Sequence, residues 1–138
     1  MKNQSTMKVT IITPDYVAFE GEASFLAVRA SDGDLGIMPN HAPLLAALEI
    51  WPMKLVIPDK GDSEFAVFGG FMDVNADGVT IVTPNCELPE AIDKERAERA
   101  KKRAEERLAD KSTTVDHARA KLALRRALTR LDIVSRRK

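Results

Sequence analysis

Glu90-Ala-Ile-Asp-Lys-Glu-Arg-Ala-Glu-Arg-Ala-Lys-Lys-Arg103 decides the fold. It is a run of strong helix formers without Gly or Pro. Pro89 stands directly before it, at a place where a helix loses nothing from a missing N–H. All seven Gly, all seven Pro and all seven aromatic residues lie at or before Pro89. The residues upstream are rich in Val, Ile, Phe and Thr, and Gly or Pro interrupts them every few positions. The sequence therefore predicts two units in series: a β unit over 1–87 and a helical unit over 88–138.

The formal net charge of zero hides a split along the same line. Residues 1–86 carry five basic and eleven acidic groups, a net −6, and residues 87–138 carry sixteen and ten, a net +6. A basic arm on an acidic body suits an acidic partner. The competing reading is a solvated helix surface laced with (i, i+4) ion pairs. Nucleic acid is disfavoured, because no aromatic residue is interleaved with the basic ones and glutamates interrupt the run.

In the front unit, Lys8–Thr13 alternates apolar and polar residues and stops at Pro14-Asp15. Tyr16–Phe19, Phe25–Ala30, Leu45–Glu49, Met53–Ile57, Glu64–Phe68, Phe71–Val74 and Val79–Thr83 read as further short strands. Gly61, Gly69-Gly70 and Asn75-Ala-Asp-Gly78 read as the breaks between them. Many short strands at this spacing predict an antiparallel sandwich or barrel. The aromatic residues are expected to supply much of its core.

Two antiparallel helices are expected in the tail. The first runs over 90–109 with an apolar stripe of Ala97, Ala100, Ala104 and Leu108. The second starts after Ser112-Thr113-Thr114, with Thr113 and Asp116 in the spacing of a capping box. Its stripe is Val115, Leu124, Leu128 and Leu131, flanked by Ala118, Leu122 and Ala127. The turn lies around Lys111. An alanine seam buries little area per residue, so this hairpin packs closely but weakly, as a switch requires.

Several function classes lose support. The single Cys86 excludes an internal disulfide and reads as a small buried residue at the β–helix junction. No apolar run approaches the roughly 18 residues of a membrane span, and the start shows no secretory signal. Residues 1–6 read as a frayed end, with Met7 as a second candidate start. His41 is a lone histidine in a Pro-flanked loop, and His117 lies on the distant second helix, so no metal or Ser/His/Asp set forms. No P-loop is present. The chain is expected to be no enzyme and to require no cofactor or metal.

Arginines in the tail fall in a pattern. Asp93 and Arg96 share a helix face at (i, i+3), and Arg119, Arg126 and Arg130 share one at (i, i+7, i+11). If the helices fold antiparallel, Asp93 and Arg96 meet Arg126 and Arg130. Guanidinium groups suit phosphate oxygens, and a carboxylate can accept from an adenine amino group. The same spacing also fits an intrahelical Asp93–Arg96 pair and a solvated arginine face, which contribute only tenths of a kcal/mol.

Four stretches in order and spacing carry a resemblance. They are Val9-Thr-Ile-Ile-Thr-Pro-Asp15, Asp32-Gly-Asp-Leu-Gly-Ile-Met-Pro-Asn-His-Ala-Pro-Leu44, Phe68-Gly-Gly-Phe-Met-Asp-Val74 and Ile92-Asp-Lys-Glu-Arg-Ala97. Together they closely resemble the epsilon subunits of bacterial F-type ATP synthases, over about Lys8 to Leu131. The resemblance implies a ten-stranded N-terminal β-sandwich and a C-terminal helical hairpin. It implies a place in the central stalk of a proton- or sodium-driven enzyme, against the gamma subunit and the c-ring, on the cytoplasmic face of the bacterial membrane without insertion into it. It implies that the hairpin can extend toward the alpha and beta subunits and inhibit ATP hydrolysis. It further implies that Thr13, Asp34 and His41 lie at the sandwich end facing the c-ring, with Asp34 where the family commonly has Glu. The Ile-Asp-x-x-Arg-Ala pattern resembles the family's ATP-binding motif, and Glu87 fits its upstream acidic position. The implied nucleotide set is thus Glu87, Ile92, Asp93, Arg96, Ala97, Arg119, Arg126 and Arg130, with ATP as a regulatory ligand. The alternative is a free-standing sandwich adaptor whose basic arm binds acidic protein or RNA.

Overall fold

A computed structural model describes residues 5–136. Residues 1–4, part of the expected frayed start, lie outside them. The elements are β1 (Met7–Ile12), β2 (Val17–Ala23), β3 (Phe25–Ala30), β4 (Gly33–Ile37), β5 (Leu44–Ile57), β6 (Gly61–Asn75), β7 (Gly78–Val82) and β8 (Cys86–Glu87). A 3₁₀ turn (Pro89–Ala91), α1 (Lys94–Ala109) and α2 (His117–Arg136) follow.

The expected β-sandwich followed by a two-helix hairpin is the fold. Its construction differs from the expectation of many short strands. β5 and β6 are 14 and 15 residues long and pair without a register shift from Leu44↔Val74 to Ile57↔Gly61. Each bends and serves both layers, so one continuous ladder in the order β2-β1-β7-β6-β5-β3-β4 folds into a sandwich. Counted by layer, the two long strands supply two segments each, which gives the ten strands the resemblance implies. Gly69-Gly70 is therefore a bend inside a strand. Both glycines have positive φ, 85° and 100°. A Cβ at Gly70 would stand 2.0 Å from the Val82 carbonyl oxygen, so only Gly fits. β4 and β8 were not expected; both are short, and both sit in segments rich in turn residues.

The core between the layers is mainly aliphatic, from residues of alternating parity such as Val9, Ile11, Leu26, Ile37, Leu55, Met72 and Ile81. Of the aromatic residues, Phe65 and Phe68 are buried, and Phe65 meets Phe19 edge to face at 5.5 Å. Tyr16 and Phe71 are exposed, so the aromatic share of the core is smaller than expected.

The first helix starts later than expected. Pro89–Ala91 forms the 3₁₀ turn, and Asp93 caps α1 by accepting from the Arg96 backbone N–H at 3.1 Å. The second helix is capped by Asp116, which accepts from the Arg119 N–H at 3.0 Å, so Asp116 is the cap itself and Thr113 is not. Residues 110–116 join the helices. The His117 Nε2 lies 2.6 Å from the Asp110 carbonyl oxygen and ties the end of α1 to the start of α2. The alanine seam forms: Ala97 and Ala104 of α1 and Ala120 and Ala127 of α2 are buried. The rest of the expected α2 stripe is only partly in phase, with Leu124 and Leu131 half-buried. Leu122 and Leu128 are exposed, while Thr129 and Ile133 are buried. The reason is that α2 serves two neighbours: α1 on one side and the sandwich on the other.

That second contact is a small apolar cluster of Ala66, Phe68, Ile92 and Ile133, with Ile50 and Val134 packed against it. Among the described residues three ion pairs surround it: Arg125–Glu49, Arg130–Glu87 and Arg136–Glu64. Each joins an arginine of α2 to a glutamate of the β unit, so the charge split of the sequence is realised as docking.

Candidate functional site

A cavity of about 340 Å³ opens where the sandwich, α1 and α2 meet, lined by Glu87, Asp93, Arg96, Ala97, Arg103 and Arg130 among others. That volume lies in the range of small-molecule sites. The antiparallel hairpin brings the start of α1 beside the end of α2. β8 carries Glu87 in from the sandwich by pairing with β6 at Ala66.

The charges in this cavity are partly arranged already. Glu87 accepts two hydrogen bonds from Arg130, from Nε at 2.7 Å and Nη2 at 2.8 Å. The Arg130 guanidinium also lies over the Phe68 ring, 4.8 Å from its centroid. Arg96 and Arg103 sit two turns apart on one face of α1, exposed at the cavity mouth. Three guanidinium groups and two carboxylates thus converge. Such a set can hold the phosphates of a nucleotide and accept from an amino group of its base.

The expected residues divide as follows. Glu87, Asp93, Arg96, Ala97 and Arg130 are brought together. Ile92 is buried beside the cavity, in the apolar cluster under α2. Arg126 does not meet Asp93 and Arg96. It sits one turn, roughly 6 Å, earlier on α2, and lines a separate cleft with Leu48, Glu49, Ile50 and Phe68. Arg119 is farther still, in the first turn of α2 near the hairpin's turn, and lies outside the cavity. Sequence reasoning missed Asn85 and Arg103. The signal for Arg103 was present, since it lies at i+7 from Arg96.

Thr13, Asp34 and His41 do not share one end of the sandwich. Thr13 follows the last residue of β1, and its hydroxyl donates to the Tyr16 carbonyl oxygen at 2.9 Å. Asp34 accepts from Arg29 Nε at 2.8 Å. It lies at the same end as Thr13, through the neighbours Ala30, Leu48 and Gly70 across β3, β5 and β6. His41 lines a cavity with Met7 and Lys8, at the opposite end of β1. Six residues of strand, roughly 20 Å, separate the two levels. His41 itself is exposed, with Nδ1 2.7 Å from the Ala42 carbonyl oxygen.

Cys86 is buried, as expected, and burial, then the neighbouring Glu87, pushes its thiol pKa up to about 12. It is held protonated and is no nucleophile.

Two family models match consecutive parts of the chain. They are described as the beta-sandwich domain of the ATP synthase delta/epsilon chain, over residues 6–89, and its long alpha-helix domain, over residues 90–135. The chain belongs to the ATP synthase delta/epsilon family. The ATP synthase epsilon chain of Bacillus velezensis is 48% identical over 129 residues, which cover 93% of this chain and 96% of that one. The epsilon chain of Bacillus licheniformis is 46% identical, with 93% and 97% covered. The fold is shared with a chain of the Euglena gracilis mitochondrial ATP synthase structure, with a TM-score of 0.80 at 20% identity, covering 92% of this chain and 79% of that one. Its function is that of an epsilon subunit, in the central stalk of an F-type ATP synthase.

Proposed function

We propose that the chain is a non-catalytic coupling and regulatory subunit whose docked hairpin is held in place by ATP. The observation that carries this is the cavity at the joint. Glu87 comes from the sandwich, Asp93 from the cap of α1, Arg96 and Arg103 from α1, and Arg130 from α2. These residues stand together only while the hairpin is folded and docked, so a ligand that binds them stabilises that state by RT ln(1 + [ATP]/Kd). When ATP falls, the weak alanine seam and the small apolar cluster release α2. Its arginines then reach acidic surfaces of the alpha and beta subunits and block hydrolysis. No cofactor is required for this, and ATP acts as a regulatory ligand.

The sandwich serves as the fixed part, attached to the gamma subunit and the c-ring. What supports this is a row of exposed apolar residues across the outer face of the first layer. In pairing order it runs Ala47, Phe71, Val82, the half-buried Ile12 and Val17, with Leu45 beside it. The row suits a protein partner better than solvent. Among the described residues no helix is long and apolar enough to cross a membrane. The reading places the chain peripherally on the cytoplasmic face of the bacterial membrane, held through the complex to which its relatives belong.

Deletion of residues 111–138 tests the regulatory reading. The assembled complex carrying the shortened chain should hydrolyse ATP faster than the intact one, most clearly at low ATP. Equal rates across the whole ATP range would remove the inhibitory role.

A further inference from the structure

We propose that Phe68 is a positioning residue for the cavity. A side chain of the sandwich sets where the Arg130 guanidinium stands, so the sandwich helps determine the cavity's affinity for anions. This deepens the reading of the cavity as a phosphate-binding site and rests on it.

The argument begins with the freedom of an arginine side chain. An exposed arginine must give up its rotamers when it binds an anion, and that cost weakens binding. Arg96 and Arg103 on α1 are exposed in this way. Arg130 is not. One edge of its guanidinium is fixed by Glu87 through Nε and Nη2. One face lies over the Phe68 ring at 4.8 Å. A planar group held by one edge and one face keeps a single orientation. Glu87 takes two of the five N–H donors. The others remain for an anion in the cavity that Arg130 lines.

Phe68 is suited to this task by its own surroundings. It is 7% exposed and wedged among Ala66, Ile92 and Ile133. Its backbone N–H donates to the Asn85 carbonyl oxygen at 3.3 Å. Two residues earlier the same strand pairs Ala66 with Glu87. One strand therefore positions both the ring and the carboxylate that hold Arg130. Ile92 and Ile133 connect the same ring to the start of α1 and the end of α2. Arg130 is thus placed by the sandwich and offered to a site that the hairpin completes.

The test uses the full chain and two variants. Phe68→Leu keeps an apolar side chain under α2 but removes the ring face, and Phe68→Tyr keeps the face. Two readouts are needed: the ATP dissociation constant by calorimetry, and the ¹⁵N-detected Nε–H signal of Arg130, identified by its loss in Arg130→Lys. Phe68→Leu should raise the dissociation constant about three- to tenfold, the worth of a cation–π contact, and should expose the Nε–H to rapid solvent exchange. Phe68→Tyr should match the parent in both, which a role in packing alone does not require. Unchanged affinity and an unchanged Nε–H signal in Phe68→Leu would overturn the proposal, as would equal weakening in Phe68→Tyr. If the parent chain binds no ATP, the phosphate-site reading fails by itself. The Nε–H signal then still decides whether Phe68 positions Arg130: loss in Phe68→Leu alone supports it, and retention overturns it.

Discussion

At the residue scale, charge and burial set what each group can do. The Cys86 thiol, with its pKa pushed from the ordinary 9.0 to about 12 by burial and then by Glu87, is protonated in the folded chain through neutral and mildly alkaline pH. The unfolded chain loses that proton from about pH 9 and the folded chain only near pH 12. This contribution to stability is therefore fully present below pH 9 and is lost as pH rises toward 12. Cys86 should resist a maleimide at pH 8 and react at once when the chain is unfolded in urea. Rapid labelling of the folded protein would contradict its burial. At this scale part of the site was legible and part was not. Asp93 and Arg96 carry a local signal, because their spacing and the helix that follows are written in adjacent residues. Arg126 was expected beside Asp93 and Arg96 and lines a separate cleft, because the sequence gives the phase of α2 but not what it packs on. One turn along the helix, Leu48, Glu49 and Ile50 are its neighbours instead of the cavity.

At the element scale, α2 is the piece whose surroundings decide its behaviour. Its leucines drew the sequence reading to one face, yet Leu122 is exposed and Ile133 is buried against Phe68 and Ile92. Composition cannot show that a helix packs on two neighbours at once, and here an ion-paired and partly alanine interface replaces a leucine stripe. Ile133→Ala should cost the docked hairpin about 2–4 kcal/mol, from lost burial and the cavity left behind. Leu122→Ala should cost less than about 0.5 kcal/mol, as an exposed substitution. Thermal unfolding followed by circular dichroism at the helical band checks both, and the reverse order would restore the leucine stripe. The long strands were hidden for a related reason. Gly69-Gly70 has the composition of a break, but positive φ at both glycines lets β6 bend while staying paired.

At the scale of the whole molecule, an acidic sandwich and a basic hairpin are joined, among the described residues, by three arginine–glutamate pairs and one small apolar cluster. The opposite face of the sandwich keeps its exposed apolar row, with Phe71 58% and Leu45 73% exposed. A charge placed in the middle of that row should abolish attachment without unfolding the sandwich. Phe71→Glu should leave the melting temperature close to the parent's and prevent co-purification with the gamma subunit. Retained attachment would move the interface elsewhere. The two-unit order and the sandwich-plus-hairpin class were readable because the breakers and aromatics stop at Pro89. The cavity was only half readable, because it is built by docking, and docking depends on how two units of opposite charge meet in space.

Hydrogen exchange of the α2 amides in the intact chain, with and without ATP, tests most directly whether a ligand at the joint holds the arm. Opening of the docked hairpin exposes these amides; if ATP binds only the closed form, as proposed, their exchange should slow by a factor of up to 1 + [ATP]/Kd. Amides of the sandwich core should be unaffected. Exchange of α2 that is the same at every ATP concentration would contradict the account, whatever the nucleotide does elsewhere in the complex.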